Sequence, residues 1–265
     1  MENRPIGVFD SGLGGLTVVK ALKKILPNER ILYFGDTARL PYGVKSRDLI
    51  IQYSIQIARF LIKNDAKMII IACNTATAMA LEILKNNFTH IPIIGVIEPG
   101  SVQASLDSKN KKIGVIGTVA TINSKAYDTS LSLIDKEIQV FSKQCPLFVP
   151  FVEEGMVKGE AINLIVEHYL SSFKNKIDTM ILGCTHYPIL KPVIKDFVKN
   201  IKLVDSASAV ANHAKSILIK KRQMSELECP NQIECFVTDL PRKFGKLGEI
   251  FLGEKINHPQ LVDDF

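Results

Sequence analysis

Short runs of apolar residues alternate along the chain with longer segments whose apolar positions recur at helical spacing. Leu16–Leu26 and Asp48–Ile62 place apolar residues three or four positions apart, which predicts amphipathic helices. The short runs are rich in isoleucine and valine and almost continuously apolar, which is typical of strands buried on both faces of a parallel sheet. The predicted strands are Ile6–Phe9, Ile31–Phe34, Lys67–Ala72, Ile91–Ile97, Ile113–Ile116, Ile138–Phe141, Ile177–Leu182, Leu203–Val204 and Ile233–Val237.

Helical patterns follow most of these strands. The other predicted helices are Thr77–Lys85, Asn123–Ile134, Glu160–Leu170, Pro188–Val198 and residues 207–220, whereas residues 145–159 are predicted to be irregular. Strands that alternate with helices in this way predict an α/β protein.

The two halves of the pattern resemble each other. Ile6–Phe9 and Ile113–Ile116 share an Ile-Gly-Val core, and one later strand in each half ends next to a cysteine. We therefore predict two pseudosymmetric αβ lobes with open sheets and the active site in the cleft between them. The predicted first lobe is 1–97 plus 210–265, and the second is 98–209, with linkers near residues 98 and 208.

Two thiols occupy matching positions in this repeat. Cys73 and Cys184 each follow a buried strand and precede polar residues and a predicted helix. Ligands of open α/β sheets bind at the carboxyl ends of the strands. A helix N-terminus also lowers the pKa of a thiol and favours the reactive thiolate. A single buried cysteine is as often structural as reactive, but the matched placement favours a functional pair.

Other polar side chains fall at the same strand ends. Asp10 follows the first strand, in the lobe of Cys73, and is a candidate base partner. His186 lies two residues after Cys184, where an imidazole can relay a proton. Hydroxyl and amide groups that could hold carboxylates are Ser11, Asn74, Thr75, Thr118, Thr121 and Thr185. Some of them are expected only to cap helices.

Composition excludes several classes of protein. The net charge is +6, but the lysines are scattered over predicted helix surfaces, so we expect no nucleic-acid partner. No apolar run reaches the length of a membrane span, and the first strand begins almost at once, so we expect neither membrane insertion nor a signal peptide. Five cysteines without scaffold spacing suit a reducing compartment. A cytoplasmic protein is the expectation.

Cofactor and metal motifs are weak. Gly12–Gly15 with Asp36 imitates a dinucleotide fingerprint, but Thr17 stands where the third glycine belongs, and Asp10 would face the pyrophosphate. Cys229 and Cys235 are too widely spaced for a zinc pair, and the chain has no second pair to match. We expect neither a cofactor nor a metal.

Several motifs together resemble those of the glutamate racemases, within the aspartate/glutamate racemase family. They occur in that family's order and span almost the whole chain. The motifs are Phe9–Leu16, Pro41–Gly43, Ala72–Ala76, Phe151–Gly155 and Gly183–Pro188.

The resemblance implies interconversion of L- and D-glutamate without pyridoxal, which supplies D-glutamate for peptidoglycan. By this likeness Cys73 removes the α-proton of D-glutamate and Cys184 that of L-glutamate. Asp10 assists the first thiol and His186 the second, with Glu153 near the histidine. The substrate-binding positions that it implies are Asp10, Ser11, Tyr42, Gly43, Asn74, Thr75, Thr185 and His186, with Thr118 and Thr121 added as weaker candidates for side-chain carboxylate contacts.

Two other functions stay open at this point. The chain could be a racemase of the same plan for aspartate or another amino acid, or a two-lobed amino-acid binding protein without activity. Both cysteines together with Asp10 and His186 favour an enzyme, and a homodimer is expected.

Overall fold

The computed structural model describes residues 2–226, 232–256 and 258–263. Its contacts divide the chain into two compact units, which are Met1–Val96 with Ala207–Phe265 (unit 1) and Ile97–Ser206 (unit 2). Across the described part of the chain, no helix is both long enough and apolar enough to cross a membrane.

The regular elements alternate as the pattern predicts. The strands are β1 Ile6–Asp10, β2 Ile31–Gly35, β3 Met68–Ile71, β4 Ile93–Gly95, β5 Lys112–Gly117, β6 Gln139–Gln144, β7 Thr179–Gly183, β8 Lys202–Asp205, β9 Ile233–Val237 and β10 Gln260–Leu261. The helices are α1 Leu16–Ile25, α2 Arg47–Lys63, α3 Asn74–Asn87, α4 Ile97–Asp107, α5 Val119–Asn123, α6 Ala126–Ile134, α7 Phe148–Glu153, α8 Glu160–Leu170, α9 Lys191–Val198, α10 Ser206–Lys221 and α11 Pro241–Leu252.

Unit 1 contains a six-stranded sheet in the order β10-β9-β2-β1-β3-β4, and all of its pairings are parallel. β1 is completely buried, as a central parallel strand must be when helices cover both faces. β9 brings the C-terminal part of the chain into this sheet beside β2. Phe60 packs edge-on against Phe34 and Phe236 at centroid distances of 5.1 and 5.0 Å, so β9 contributes to the same core.

Unit 2 contains a four-stranded parallel sheet in the order β6-β5-β7-β8. The order β2-β1-β3-β4 of unit 1 therefore recurs here, strand for strand. In each sheet the second strand of the unit (β2 or β6) pairs with one edge of the first strand (β1 or β5). The third strand (β3 or β7) pairs with the other edge of that first strand. The predicted α/β class with parallel sheets is confirmed.

Several predicted elements have different bounds. α3 begins at Asn74 rather than Thr77, directly after Cys73. The predicted helix Asn123–Ile134 becomes α6, which begins only at Ala126, because α5 ends at Asn123 and Lys125 adopts a left-handed conformation (φ 56°) between the two helices. The predicted helix Pro188–Val198 begins as a 3-10 turn, Tyr187–Leu190, and only then becomes α9.

Other predictions were wrong because tertiary context overrides local pattern. Residues 145–159 are not wholly irregular, since they contain α7. The linkers that we placed near residues 98 and 208 lie within two residues of the unit boundaries after Val96 and Ser206, but the chain is helical there, in α4 and α10, rather than irregular. The pattern also missed α4 as a whole, because Pro99 and Gly100 are poor helix formers.

A buried ion pair lies where β3 begins. Lys67 Nζ is 2.6 Å from Glu29 Oε2, and the two side chains are 0% and 1% exposed. The ammonium also donates to the carbonyl oxygens of Glu2 (2.9 Å) and Gln223 (2.8 Å), and Glu29 Oε1 accepts from the N–H of Ser225 (2.8 Å). The pair thus joins the N-terminus, the start of β3 and the segment after α10.

Candidate active site

In unit 1, the candidate residues meet where the strand order changes direction. β1 and β3 are neighbours, but β1 connects to β2 toward one edge of the sheet, whereas β3 connects to β4 toward the other edge. Asp10 is the last residue of β1, and Cys73 follows β3 by two positions. The carboxyl ends of strands at such a switch point are the usual ligand site of an open α/β sheet.

Cys73 is the N-cap residue of α3. Its Sγ accepts a hydrogen bond from the N–H of Ala76 at 3.5 Å and lies 3.9 Å from Ser11 Oγ. The thiol residue is only 6% exposed. The positive end of a 14-residue helix and a backbone N–H therefore both face the sulfur, and both favour a thiolate over a thiol.

Asp10 is completely buried and is held by the glycine turn that follows it. Its Oδ1 accepts from the N–H of Gly12 at 3.0 Å, and the Gly12 carbonyl accepts from the hydroxyl of Tyr33 at 2.7 Å. A Cβ at Gly15 would lie 2.6 Å from Asp10 Cβ, so only glycine fits there. Burial raises the pKa of Tyr33 well above its ordinary value, and the charge of Asp10 raises it further. Tyr33 therefore stays protonated and acts as a donor.

The remaining unit 1 candidates surround the start of α3. Asn74 and Thr75 form its first turn and are buried, and Ser11 is half-buried. Tyr42 begins a 3-10 turn that packs against α3, but its hydroxyl donates to Asp36 Oδ2 at 2.5 Å. The Tyr42 hydroxyl is therefore engaged within the protein, which leaves the backbone of Tyr42 and Gly43 as the candidate for a ligand contact.

In unit 2, a thiol, an imidazole and a carboxylate form a chain of contacts. Cys184 directly follows β7, and its Sγ lies 3.9 Å from Nδ1 of His186. Nε2 of the same ring lies 3.2 Å from Glu153 Oε1. If the carboxylate accepts from the Nε2 hydrogen, Nδ1 is left as an acceptor toward the thiol. This arrangement can remove a proton from Cys184 and return it.

The surroundings of Cys184 differ from those predicted. We expected a helix start after each thiol, but Cys184 is followed by a turn, and α9 begins only at Lys191. Pro192 explains the delay, because it lacks the N–H that a helix running on from Pro188 would need. Cys73 therefore has a helix N-terminus, whereas Cys184 has the His186–Glu153 pair.

Thr118 and Thr121 lie at the carboxyl end of β5, beside the end of β7. Thr118 is the N-cap of α5: its Oγ1 accepts from the N–H of Thr121 at 3.2 Å and donates to Thr121 Oγ1 at 3.0 Å. The Thr118 hydroxyl thus caps α5, and the Thr121 hydroxyl accepts a hydrogen bond from it. Thr185, between the thiol and the imidazole, is buried.

Sequence reasoning missed the residues that place Glu153. Tyr187 donates its hydroxyl to the carbonyl of Cys145 at 2.8 Å, and its ring packs edge-on against Phe148, the first residue of α7. Glu153 is the last residue of that helix. Tyr187, next to His186, could have indicated this contact in the sequence, because a buried tyrosine hydroxyl requires a hydrogen-bond partner.

Some residues of the motifs that we rejected as cofactor or metal sites have structural roles instead. Asp36, the acid of the imitated dinucleotide pattern, accepts hydrogen bonds from Tyr42 and Thr238. Within the described ranges, no group of three or more His, Cys, Asp or Glu residues could hold a metal ion. Cys235 is buried in β9, and Cys229 lies outside the described residues.

Each of the two α/β units has a parallel sheet, and in each a buried thiol follows a strand at the switch point of that sheet. This repeated arrangement defines the class of the protein. The chain belongs to the Asp/Glu/Hydantoin racemase family, whose sequence profile matches residues 6–214.

The most informative relatives are glutamate racemases. The chain is 47% identical over 259 residues to that of Aquifex aeolicus, covering 98% of each chain. The structure of the Francisella tularensis enzyme in complex with D-glutamate superposes with a TM-score of 0.93 at 45% identity, covering 99% of this chain and 98% of the other. The RacE1 isoform from Bacillus anthracis gives a TM-score of 0.95 at 37% identity, covering 99% and 98%.

Proposed function

We propose that this protein interconverts L- and D-glutamate by proton transfer between two thiols, without a cofactor. The observation that carries this proposal is the repeated placement of a buried thiol, Cys73 or Cys184, at the switch point of each parallel sheet. A D-glutamate complex of a relative 45% identical to this chain supports glutamate as the substrate. The product D-glutamate serves peptidoglycan synthesis.

Inversion of a stereocentre by proton transfer requires a base on one face and an acid on the other. In this proposal, Cys73 removes the α-proton of D-glutamate and Cys184 that of L-glutamate, and the opposite thiol returns a proton. The mechanism requires the two thiols to reach the α-carbon of the substrate from opposite faces. Asp10 assists Cys73, whereas His186, held by Glu153, assists Cys184.

A thiol with an unperturbed pKa of about 8.5 is a weak base for an amino-acid α-proton. Groups that stabilise the developing carbanion must therefore be in place before the reaction. Backbone N–H groups at the start of α3 and hydroxyls at the strand ends meet this need, because they are fixed by the fold. The proposed substrate-binding residues are Asp10, Ser11, Tyr42, Gly43, Asn74, Thr75, Thr118, Thr121, Thr185 and His186.

Purified protein with L-glutamate as the sole addition should form D-glutamate until the two enantiomers are equal. The activity should survive a metal chelator and borohydride, because neither a metal nor a lysine imine takes part. Coupled detection of D-glutamate measures the rate, and L-aspartate serves as the competing substrate. Faster turnover of aspartate would assign the chain to that substrate. A folded protein that binds glutamate without turnover would instead be a binding protein.

The assisting roles of Asp10 and His186 should appear in isotope effects rather than in overall rates. The equilibrium constant of racemisation is one, so kcat/KM must be equal in both directions for every variant. Asp10→Asn slows proton transfer at Cys73, so the primary α-deuterium isotope effect on kcat/KM should rise with D-glutamate and fall with L-glutamate. His186→Asn should show the reverse. Isotope effects that change alike for both enantiomers would contradict these roles.

We also place the protein in the cytoplasm as a homodimer. The small anionic substrate is a soluble metabolite, and the reduced thiols that the mechanism needs persist in that compartment. Light scattering at several concentrations gives the oligomeric state directly.

A further inference from the structure

Asp36 is a buried carboxylate that the proton transfer does not use. It directly follows β2, and its backbone N–H donates to the carbonyl oxygen of Asp10 at 3.1 Å. Its Oδ2 accepts from the hydroxyl of Tyr42 at 2.5 Å, and its Oδ1 accepts from the hydroxyl of Thr238 at 3.0 Å. The guanidinium of Arg39 lies 3.8 Å from Oδ2. Both carboxylate oxygens therefore have a donor, which fixes the group in place.

The contact with Thr238 comes from the C-terminal part of the chain. Thr238 follows β9, and its hydroxyl oxygen also accepts from the N–H of Ala38 at 2.8 Å. Next to it, Thr37 Oγ1 donates to the carbonyl of Asp239 at 2.7 Å and accepts from the N–H of Asp239 at 2.8 Å. The segment that leads from β2 toward Tyr42 is thus fastened to the residues after β9.

The hydrogen bond from Tyr42 connects Asp36 with the proposed substrate-binding site. The 3-10 turn Tyr42–Val44 packs against α3, the helix that Cys73 caps. Tyr42 is 1% exposed and belongs to the same buried cluster as Cys73. Anchoring the Tyr42 hydroxyl therefore fixes the backbone of Tyr42 and Gly43 next to the start of α3.

We propose that Asp36 is a positioning residue which, together with Thr238, holds the Tyr42–Gly43 backbone in its glutamate-binding conformation. This inference rests on the proposed function, because glutamate is the ligand of that backbone. When one hydroxyl is removed, the buried carboxylate loses a donor and the turn samples other conformations. The apparent affinity then falls by the fraction of molecules that remain competent. Neither thiol is displaced, so the chemical step keeps its rate.

Tyr42→Phe and Thr238→Val should each raise the KM for both enantiomers about tenfold or more, with kcat changed less than about threefold, as expected for the loss of a hydrogen bond to a buried charge. The α-deuterium isotope effects should stay at their wild-type values. Both changes act through one carboxylate, so the double variant should raise KM by less than the product of the single effects.

Two matched variants separate this role from a general structural one. Tyr53→Phe removes a hydroxyl from a ring whose centroid lies 5.9 Å from that of Tyr42, but it leaves Asp36 untouched. Thr238→Ser keeps the hydroxyl and loses only a methyl group. Both should keep the wild-type KM, and near-UV circular dichroism verifies that every variant is folded. If Tyr42→Phe does not fold, the Thr238→Val and Thr238→Ser pair decides, and if Thr238→Val does not fold, the Tyr42→Phe and Tyr53→Phe pair decides.

Glutamate racemisation by the wild type with an unchanged KM in Tyr42→Phe and Thr238→Val would overturn the inference and leave the proposed function intact. A fall in kcat with unchanged KM would overturn it as well. If the wild type binds glutamate without turnover, the dissociation constant from calorimetry replaces KM and the same comparison holds. A wild type that neither racemises nor binds glutamate overturns both proposals.

Discussion

Replacement of either Cys73 or Cys184 with alanine should lower glutamate racemisation by roughly 10²–10⁴-fold or more, because each thiol serves one face of the substrate. The loss should be equal in the two directions, since the equilibrium constant is one. D-glutamate formation from L-glutamate measures it directly. Racemisation at a substantial rate by either variant would contradict the two-thiol mechanism.

The same variants also test which face each thiol serves. In deuterated water, Cys73→Ala retains Cys184 and should slowly exchange the α-hydrogen of L-glutamate with retention of configuration. Cys184→Ala should do the same with D-glutamate. Proton NMR of the α-position follows the exchange. The reverse pairing of variants and enantiomers would show that the two thiols have been assigned to the wrong faces.

Two other buried cysteines provide matched controls. Cys235 lies in β9 of unit 1, where burial raises its pKa to about 12. Cys145 lies in unit 2, and burial raises its pKa above its ordinary range. Both remain neutral thiols at any pH at which the reaction is measured. Cys235→Ala and Cys145→Ala should therefore lose stability through lost packing but keep racemase activity within about threefold.

The second large effect is on stability. Lys67→Met should lower the free energy of unfolding by about 3–5 kcal/mol, because it leaves Glu29 as an uncompensated buried charge. It also removes the donor to the carbonyls of Glu2 and Gln223. Urea denaturation followed by circular dichroism measures the loss. A change below about 1 kcal/mol would show that the pair contributes little.

The charge argument has its own control. Lys67→Met combined with Glu29→Gln removes the unpaired charge but keeps an acceptor for the N–H of Ser225, so part of the lost stability should return. Lys85→Met breaks an exposed ion pair with Glu82 and should change the free energy of unfolding by at most about 1 kcal/mol. A double variant as unstable as Lys67→Met would indicate lost hydrogen bonds rather than charge.

The local pattern of the chain was sufficient for the buried strands and for most helices. The strands β1 and β7 contain the continuous apolar runs Ile6–Phe9 and Met180–Leu182, and such runs can be recognised without knowing which strands pair. The placement of Cys73 and Cys184 at strand ends follows from the same runs. The bounds of α8 and β9 were also correct, because the hydrophobic periodicity and the residues that end a helix or a strand indicate the same bounds there. These features depend on neighbours within a few positions.

Contacts between distant residues were decided only by the tertiary structure. Nothing local pairs Lys67 with Glu29, Asp36 with Thr238, or His186 with Glu153, because these contacts depend on which strands become neighbours. The same holds for the difference between the thiols. Cys73 begins a helix at once, whereas Cys184 precedes a turn that Pro192 prolongs. Hydrophobic pattern determines which residues are buried, but strand order and backbone geometry determine what each buried polar group meets.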